Sequence, residues 1–350
     1  MGSIHKVAEI AGVSASTVSR VINGTKYVSP EIRERVLKAI AELQFQPSLA
    51  ARNLRLQQTQ IIGVLLPSFE DYFFGRLAFV IEKALVAQGY RPLFCSTENA
   101  EHKEMDYLRM MTAQRVDGVL MVPTSAREEI VEQIDALRAR GTPLVLVDNG
   151  IPDLSVSQIL PDNWQGGYKA GHHLLELGHR RIAIIVPGAE GRPPESGGGY
   201  ERIAGMRQAF EDMGAAWNPV YLVEDLNYID MGYAGTRLLV ERHSDVTAAF
   251  ALTDQIAIGV LRQMYDLGLR VPDQLSVLGY GNIPLSAHLV PRLTTVAQPI
   301  EQMGNLAVGV LLRQLSDPDA APEVMTLDTD LIVRESTAPP RPTPNVTLPG

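Results

Sequence analysis

The residues best suited to chemistry cluster in one short stretch, VAEIAGVSASTVSRVING, from Val7 to Gly24. Ser16, Thr17 and Ser19 bring hydroxyls that suit phosphates and base edges, with Ala15 among them. Arg20 brings a fork of donors that suits guanine or a phosphate. These are binding groups rather than reacting ones, and the rest of the chain adds no reactive constellation. There is no phosphate-loop lysine motif, no nucleophile elbow and no zinc-type Cys/His spacing. The run SGGGYERIAG follows no strand directly and reads as a flexible cleft loop. His172 and His173 are adjacent, so on a helix they point about 100° apart and make a poor metal pair. No enzyme, cofactor or metal is expected.

The hydroxyl cluster needs a scaffold to present it. Ile4, Val7, Ala8 and Ala11 recur at helical spacing, and Val18, Val21 and Ile22 do so again. Gly12 breaks the pattern between them and Ser14 is placed to cap the second helix. Two helices this short cannot nucleate alone. SPEIRERVLKAIAELQF supplies a third, with Ser29 as cap, Pro30 in the first turn and an apolar stripe of Ile32, Val36, Leu37 and Ile40. Three small helices with a tight turn between the first two form a helix-turn-helix.

Charge supports that reading. Residues 1–57 hold eight Lys and Arg against four acids, net +4, which leaves −13 on the remainder of a chain whose formal charge is −9. Such asymmetry describes a basic module for a polyanion attached to an acidic body. The single cysteine, Cys95, lies in an apolar run and reads as a buried small hydrophobe, so no disulfide framework is expected. No secretory segment opens the sequence and no apolar run approaches a membrane span, so a cytoplasmic protein with no membrane partner is expected.

Beyond the head, apolar runs such as IIGVLLP, PLVLVDN, RIAIIVPG and TAAFALTD alternate with amphipathic helical patterns. Continuous apolar strands alternating with helices mean parallel sheets covered on both faces. VSQILPD, near Asp162, reads as a crossover into a second series, and LTTVAQP and VMTLDTDLIVRES as returns. The expected fold is α/β: a helix-turn-helix head and a two-lobed core with parallel sheets and a cleft at the strands' carboxyl ends. The expected domains are the head at 1–46, a hinge at 47–59, a core at 60–340 and a Pro-rich tail at 341–350. Lobe 1 would hold 60–160 and 291–322, and lobe 2 would hold 161–290 and 323–340.

From about Ile4 to Ser336 the chain resembles the LacI (lactose-repressor) family of bacterial transcription regulators. VAEIAGVSASTVSRVIN, PSLAARNLR, HLLELGHRRIAIIVPG, TDQIAIGVLRQ and PRLTTVAQPIEQMG carry the likeness, in order. The resemblance implies a periplasmic-binding-protein-like core and a homodimer that binds a palindromic operator and acts as a ligand-responsive repressor of carbohydrate or related catabolic genes. It implies that Ala15, Ser16 and Arg20 set sequence preference, while Ser14, Thr17, Ser19 and Asn23 touch phosphate or cap helices. It further implies that the hinge helix folds in the minor groove, where Leu54 wedges between base pairs and Arg55 reaches a groove edge or phosphate. A solute-binding protein of the same two-lobed shape is the alternative, disfavoured by the basic head.

The same resemblance places a small-molecule effector, a sugar or sugar derivative, between the lobes. Asp148 would accept ligand hydroxyls and Arg202 would donate a paired contact. Phe73 or Phe74 would supply an aromatic wall, Trp164 would stack on a sugar or brace the lobes, and Thr253 and Asn282 would also contact the effector. Two departures stand out. Thr253-Asp254 occupies a place where many members read Asn-Asp. GYGN, with Gly281 and Asn282, replaces Gly-Phe/Tyr-Asp-Asp, so a carboxylate that would grip a sugar diol is missing at Gly281.

Overall fold

The computed structural model describes residues 3–23, 26–45, 58–187, 194, 197–224, 227–243 and 245–341. Leu54, Arg55, nearly all of the hinge and tail, and the side chain of Asn23 lie outside the described residues. The chain forms two compact units, Met1–Thr59 and Gln60–Gly350.

Among its described residues the first unit contains three helices, α1 (Ile4–Ala11), α2 (Ala15–Asn23) and α3 (Pro30–Glu42). Each starts on a hydroxyl that takes up an amide the helix itself cannot satisfy. Ser3 Oγ accepts from Lys6 N, Ser14 Oγ from Thr17 N and Ser29 Oγ from Ile32 N. Gly12 ends α1 at φ 62°, the left-handed conformation that lets the chain turn at once into α2. Val7, Ala8 and Ala11 of α1, Val18 and Val21 of α2, and Val36 and Ala39 of α3 close the core.

The second unit is built on two six-stranded sheets. The first runs β11 (Val324–Leu327), β5 (Ser157–Pro161), β4 (Leu144–Val147), β3 (Gly118–Met121), β1 (Ile61–Leu66) and β2 (Arg91–Ser96), every pair parallel. The second runs β12 (Asp330–Ile332), β10 (Thr294–Ala297), β9 (Ser276–Gly281), β8 (Ala248–Ala251), β6 (Ile182–Pro187) and β7 (Val220–Glu224), parallel except for β10–β12. Strands buried on both faces must be apolar throughout, which is why LVLV and AAFA are wholly buried.

Helices α4 (Tyr72–Ala87) and α11 (Ile300–Ser316) pack in one core of the first sheet. Helices α5 (Glu101–Gln114) and α6 (Glu128–Arg138) pack in another. The second sheet carries α7 (Asn163–Glu176), α8 (Gly197–Asp212), α9 (Tyr228–Arg242) and α10 (Asp254–Asp266). Helices α7 and α8 approach so closely that a Cβ on Gly167 would lie 1.9 Å from the Arg202 carbonyl oxygen, and one on Gly205 1.8 Å from that of Trp164.

Three features differ from the sequence expectation. The crossings between lobes fall elsewhere: Thr294–Ala297, expected in lobe 1, pairs with β9 in the second sheet, and Val324–Leu327, expected in lobe 2, pairs with β5 in the first. Short β-branched strands read alike in either sheet, and only pairing tells them apart. The glycine-rich run is not a free loop. Gly197–Gly199 form the first turn of α8. Strand β7, VYLVE, is a further short strand outside those expected from the sequence, its apolar run ending on Glu224.

Candidate functional site: recognition helix and interlobe cleft

In the head, α2 turns Val18 and Val21 inward and leaves Ser14, Ser16 and Arg20 exposed, with Ala15, Thr17 and Ser19 half-buried. The hydroxyls are not equivalent. Ser14 Oγ caps the helix and lies 2.8 Å from Ser16 Oγ and 2.9 Å from Thr17 Oγ1. The N-terminal turn is therefore a small hydroxyl cluster over amides that point outward, a surface suited to phosphate. Arg20, two turns on, projects from the exposed face.

Two head residues escaped the sequence reading. Arg35, counted only as charge, donates to the Ala11 carbonyl at 3.0 and 2.7 Å and to that of Gly12 at 3.1 Å, tying α3 to the turn between α1 and α2. Tyr27, after α2, is 89% exposed, and beside the exposed Lys26 it offers a hydroxyl and a ring face to any polyanion on that side.

The second site lies where carboxyl ends of strands from both sheets converge, in a cleft of about 200 Å3. Phe73, Phe74, Asp148, Arg202 and Thr253 all line it. Phe73 and Phe74 meet edge to face, 5.0 Å apart, at the start of α4. Asp148 follows β4 at φ 67°, a backbone few L-residues adopt, and its Oδ1 is buried without a hydrogen-bond partner. Burial pushes its carboxyl up to about 6, opposed by Arg202 and reinforced by Asp71 and Glu201. Arg202 is held by Nε to Asn163 Oδ1 at 2.9 Å and Nη1 to the Leu252 carbonyl at 2.8 Å, over the Tyr280 ring. Thr253 Oγ1 accepts from Ile256 N, so its main work is capping α10.

Trp164 and Asn282 are corrections: neither lines the cleft. Trp164 is 42% exposed and stacks on Tyr168 one turn along α7. Asn282 Oδ1 accepts from Arg334 at 2.7 Å and its amide N–H donates to Thr295 Oγ1, so its polar groups are committed within lobe 2. The neighbouring Asp254 is equally committed, accepting from Ile283 N, Ser286 Oγ and Thr295 Oγ1 at 2.8, 2.7 and 2.5 Å.

The cleft also holds residues that sequence reasoning passed over: Asp71, Asn149, Tyr228 and Gln298. Asp71 caps α4 through Phe73 N at 2.8 Å, and its carboxyl meets the Tyr228 hydroxyl across the cleft. Burial raises the Asp71 carboxyl, and burial followed by the Asp71 charge pushes the Tyr228 hydroxyl up to about 12. Asn149 Oδ1 accepts from Gly198 N of the other lobe at 3.3 Å, and Gln255 Oε1 accepts from Tyr72 N at 3.2 Å. An N-cap residue in the short loop between β1 and α4 was the available signal for Asp71. Nothing local marked Tyr228.

Comparison with known proteins places both sites in context. Residues 3–48 match the family described as bacterial regulatory proteins, lacI family, and residues 172–337 match a periplasmic binding protein-like domain. The chain is 33% identical over 336 residues to the HTH-type transcriptional repressor PurR of Vibrio campbellii, covering 96% of this chain and 98% of that one. The fold is similar to the lac repressor dimer bound to operator and the anti-inducer ONPF, with TM-score 0.82 and 27% identity over 96% of this chain and 99% of that one. It is also similar to a LacI family regulator from Enterococcus faecium with bound ribose, with TM-score 0.72 and 30% identity over 80% of this chain and all of that one.

Proposed function

Since this chain belongs to the LacI family of bacterial regulatory proteins and is a ligand-responsive, DNA-binding transcriptional repressor, we propose that its interlobe cleft binds a sugar or sugar derivative. Asp148 carries this reading. A buried carboxylate oxygen without a partner is expensive, and a ligand hydroxyl donating to it removes that cost. Arg202 presents donors from the opposite lobe, so one ligand bridges both walls and favours one lobe orientation over another. The cleft is read as a binding site rather than a catalytic one, because its polar groups hold ligand atoms and none is paired as nucleophile and base. The protein is read as cytoplasmic, the compartment of its operator. No helix among the described residues is long and apolar enough to cross a membrane.

On the DNA side, Ala15, Ser16 and Arg20 read base edges, while Ser14, Thr17, Ser19 and Asn23 hold phosphate or the helix cap. The hinge wedge assigned to Leu54, with Arg55 beside it, rests on the sequence resemblance. Dimers pack through a groove formed by Tyr72 and Phe79 of lobe 1 and Ile229 and Leu285 of lobe 2, all exposed apolar groups. Because both lobes contribute to that groove, rotating one lobe against the other changes how two copies meet. Lobe 1 receives the chain from the head, so this change reaches the DNA-binding units.

The test is binding-site selection with the full-length protein. Two symmetric half-sites, spaced so that recognition helices enter successive major grooves about 34–36 Å apart, are expected. Phe79→Glu should give monomers by analytical ultracentrifugation and lose the symmetric footprint. Selection of an isolated half-site by a wild-type monomer would overturn the reading.

A further inference from the structure

The cleft's charges do not balance. Asp71 and Asp148 stand on the lobe 1 wall, and the exposed Glu201, which does not line the cleft, precedes Arg202 on α8. The same guanidinium is the counter-charge for all three carboxylates. It is already engaged by Asn163, the Leu252 carbonyl and the Tyr280 ring. Among the described residues, no other Lys, Arg or His lines the cleft. Among the described residues of lobe 2, the one carboxylate that lines the cleft is Asp254, and it is not free. Gly281 has no side chain there, and Asp254 is consumed by three donors.

We propose that the effector is an amino sugar, a monosaccharide-sized ring whose protonated amine sits between Asp71 and Asp148 while a ring hydroxyl or ring oxygen accepts from Arg202. The proposal rests on the sugar reading above and sharpens it. Two observations and the chemistry of an amine support it. Asp148 Oδ1 is a buried acceptor without a partner at the place where the ammonium would donate. An ammonium carries three donors and no acceptor, so it suits two carboxylates better than a hydroxyl does. The cleft, about 200 Å3, lies below the roughly 300–1,000 Å3 of pockets for drug-sized ligands, which suits a small ligand such as a single ring. Burying uncompensated like charges is costly, and a cationic ligand is the simplest way to offset that cost.

The experiment is a calorimetric titration of the full-length protein at about pH 7 with matched ligands: glucosamine, glucose and N-acetylglucosamine, and the corresponding galactose and mannose sets. At least one free amine is expected to bind about tenfold tighter than both its neutral parent and its N-acetyl form, one charge-assisted contact's worth. Asp71→Asn retains a residue that caps helices well and should keep its melting temperature. It is expected to shrink the amine preference to about threefold or less. Neutral parents that bind as tightly as the amines would overturn the amine while leaving the sugar reading standing. A panel in which no sugar binds would overturn both. The wild-type comparison decides even if Asp71→Asn fails to fold.

Discussion

The guanidinium of Arg202 sits over the ring of Tyr280, with Cζ 3.8 Å from the ring centroid, so the donor that faces the effector is set by lobe 2 before any ligand arrives. A cation over an aromatic face in a desolvated site is worth about 2 kcal/mol, and the flat guanidinium makes that contact while holding Asn163 and Leu252. Arg202→Lys keeps the charge and loses both the fork and the stacking. Effector affinity should fall about 30-fold, while operator binding without effector stays within a factor of two or so. Fluorescence anisotropy of labelled operator, titrated with effector, measures both quantities.

Gly167 controls the same residue from behind. A methyl at that position would meet the Arg202 carbonyl oxygen at 1.9 Å, a backbone atom that can yield only if α8 moves as a body. Gly167→Ala should cost about 1–3 kcal/mol in urea unfolding, as overpacked cores do. It should also weaken effector response beyond what the lost stability explains, because Arg202 moves with its helix. Full effector response in a destabilised variant would show that α8 accommodates the methyl without moving its guanidinium.

Two buried groups give stability opposite dependences on pH. His179 is 1% exposed, with Nδ1 2.8 Å from Thr247 Oγ1 and Nε2 3.0 Å from the Ala338 carbonyl, bonds that a neutral ring protonated at Nε2 satisfies. Burial holds it down to about 4 from an ordinary 6.5. Its contribution is complete above pH 6.5 and is lost as pH falls toward 4, in total about 3 kcal/mol. Glu104 is fully buried and burial pushes it up to about 6 from 4.5, although Thr124 N donates to it. Its neutral form fits the fold, so stability is lost as pH rises through 6, by about 2 kcal/mol. Glu104→Gln should therefore stabilise the protein by about 1–2 kcal/mol at pH 8 and by nothing measurable at pH 4, read from urea midpoints.

The two arginines of the head should fail in different ways. Arg20→Ala leaves the fold intact and is expected to relax preference at one base pair by about 1–3 kcal/mol, visible in selected sites. Arg35→Met removes the bonds to Ala11 and Gly12 and leaves two carbonyls without that partner. It should lower affinity for every sequence alike and broaden melting of the head by circular dichroism. Unchanged base preference in Arg20→Ala would place that guanidinium on phosphate.

Much of this was legible because the physics is local. Caps at Ser14 and Ser29, the break at Gly12 and the apolar runs each declare themselves within a few residues. Asp148 and Arg202 were found through resemblance, and the structure brings them to the same cleft. What stayed hidden depends on distant partners. Arg35 reads as surface charge until the turn it ties is 24 residues away in sequence and adjacent in space. Asn282 reads as an effector contact until Arg334 takes its oxygen. Trp164 reads as a cleft wall because an exposed aromatic ladder and a binding wall have the same composition. The exchanged strands β10 and β11 show the same limit: four-residue segments carry no address for the sheet they join.

The late strands also bear on how the protein is made. Edge strand β11 completes a sheet begun at Ile61, and β10 and β12 complete one begun at Ile182. The strap that follows is bonded to the second sheet through Ser336 and Ala338. As the chain leaves the ribosome, the three-helix head has all its partners after about the first tenth of synthesis. Neither sheet can close until the last few dozen residues emerge. A DNA-binding unit is thus present long before the body that governs it, and once Ile182 has been added, for about the second half of translation, nascent chains carry two unfinished sheets exposed to chaperones and to one another.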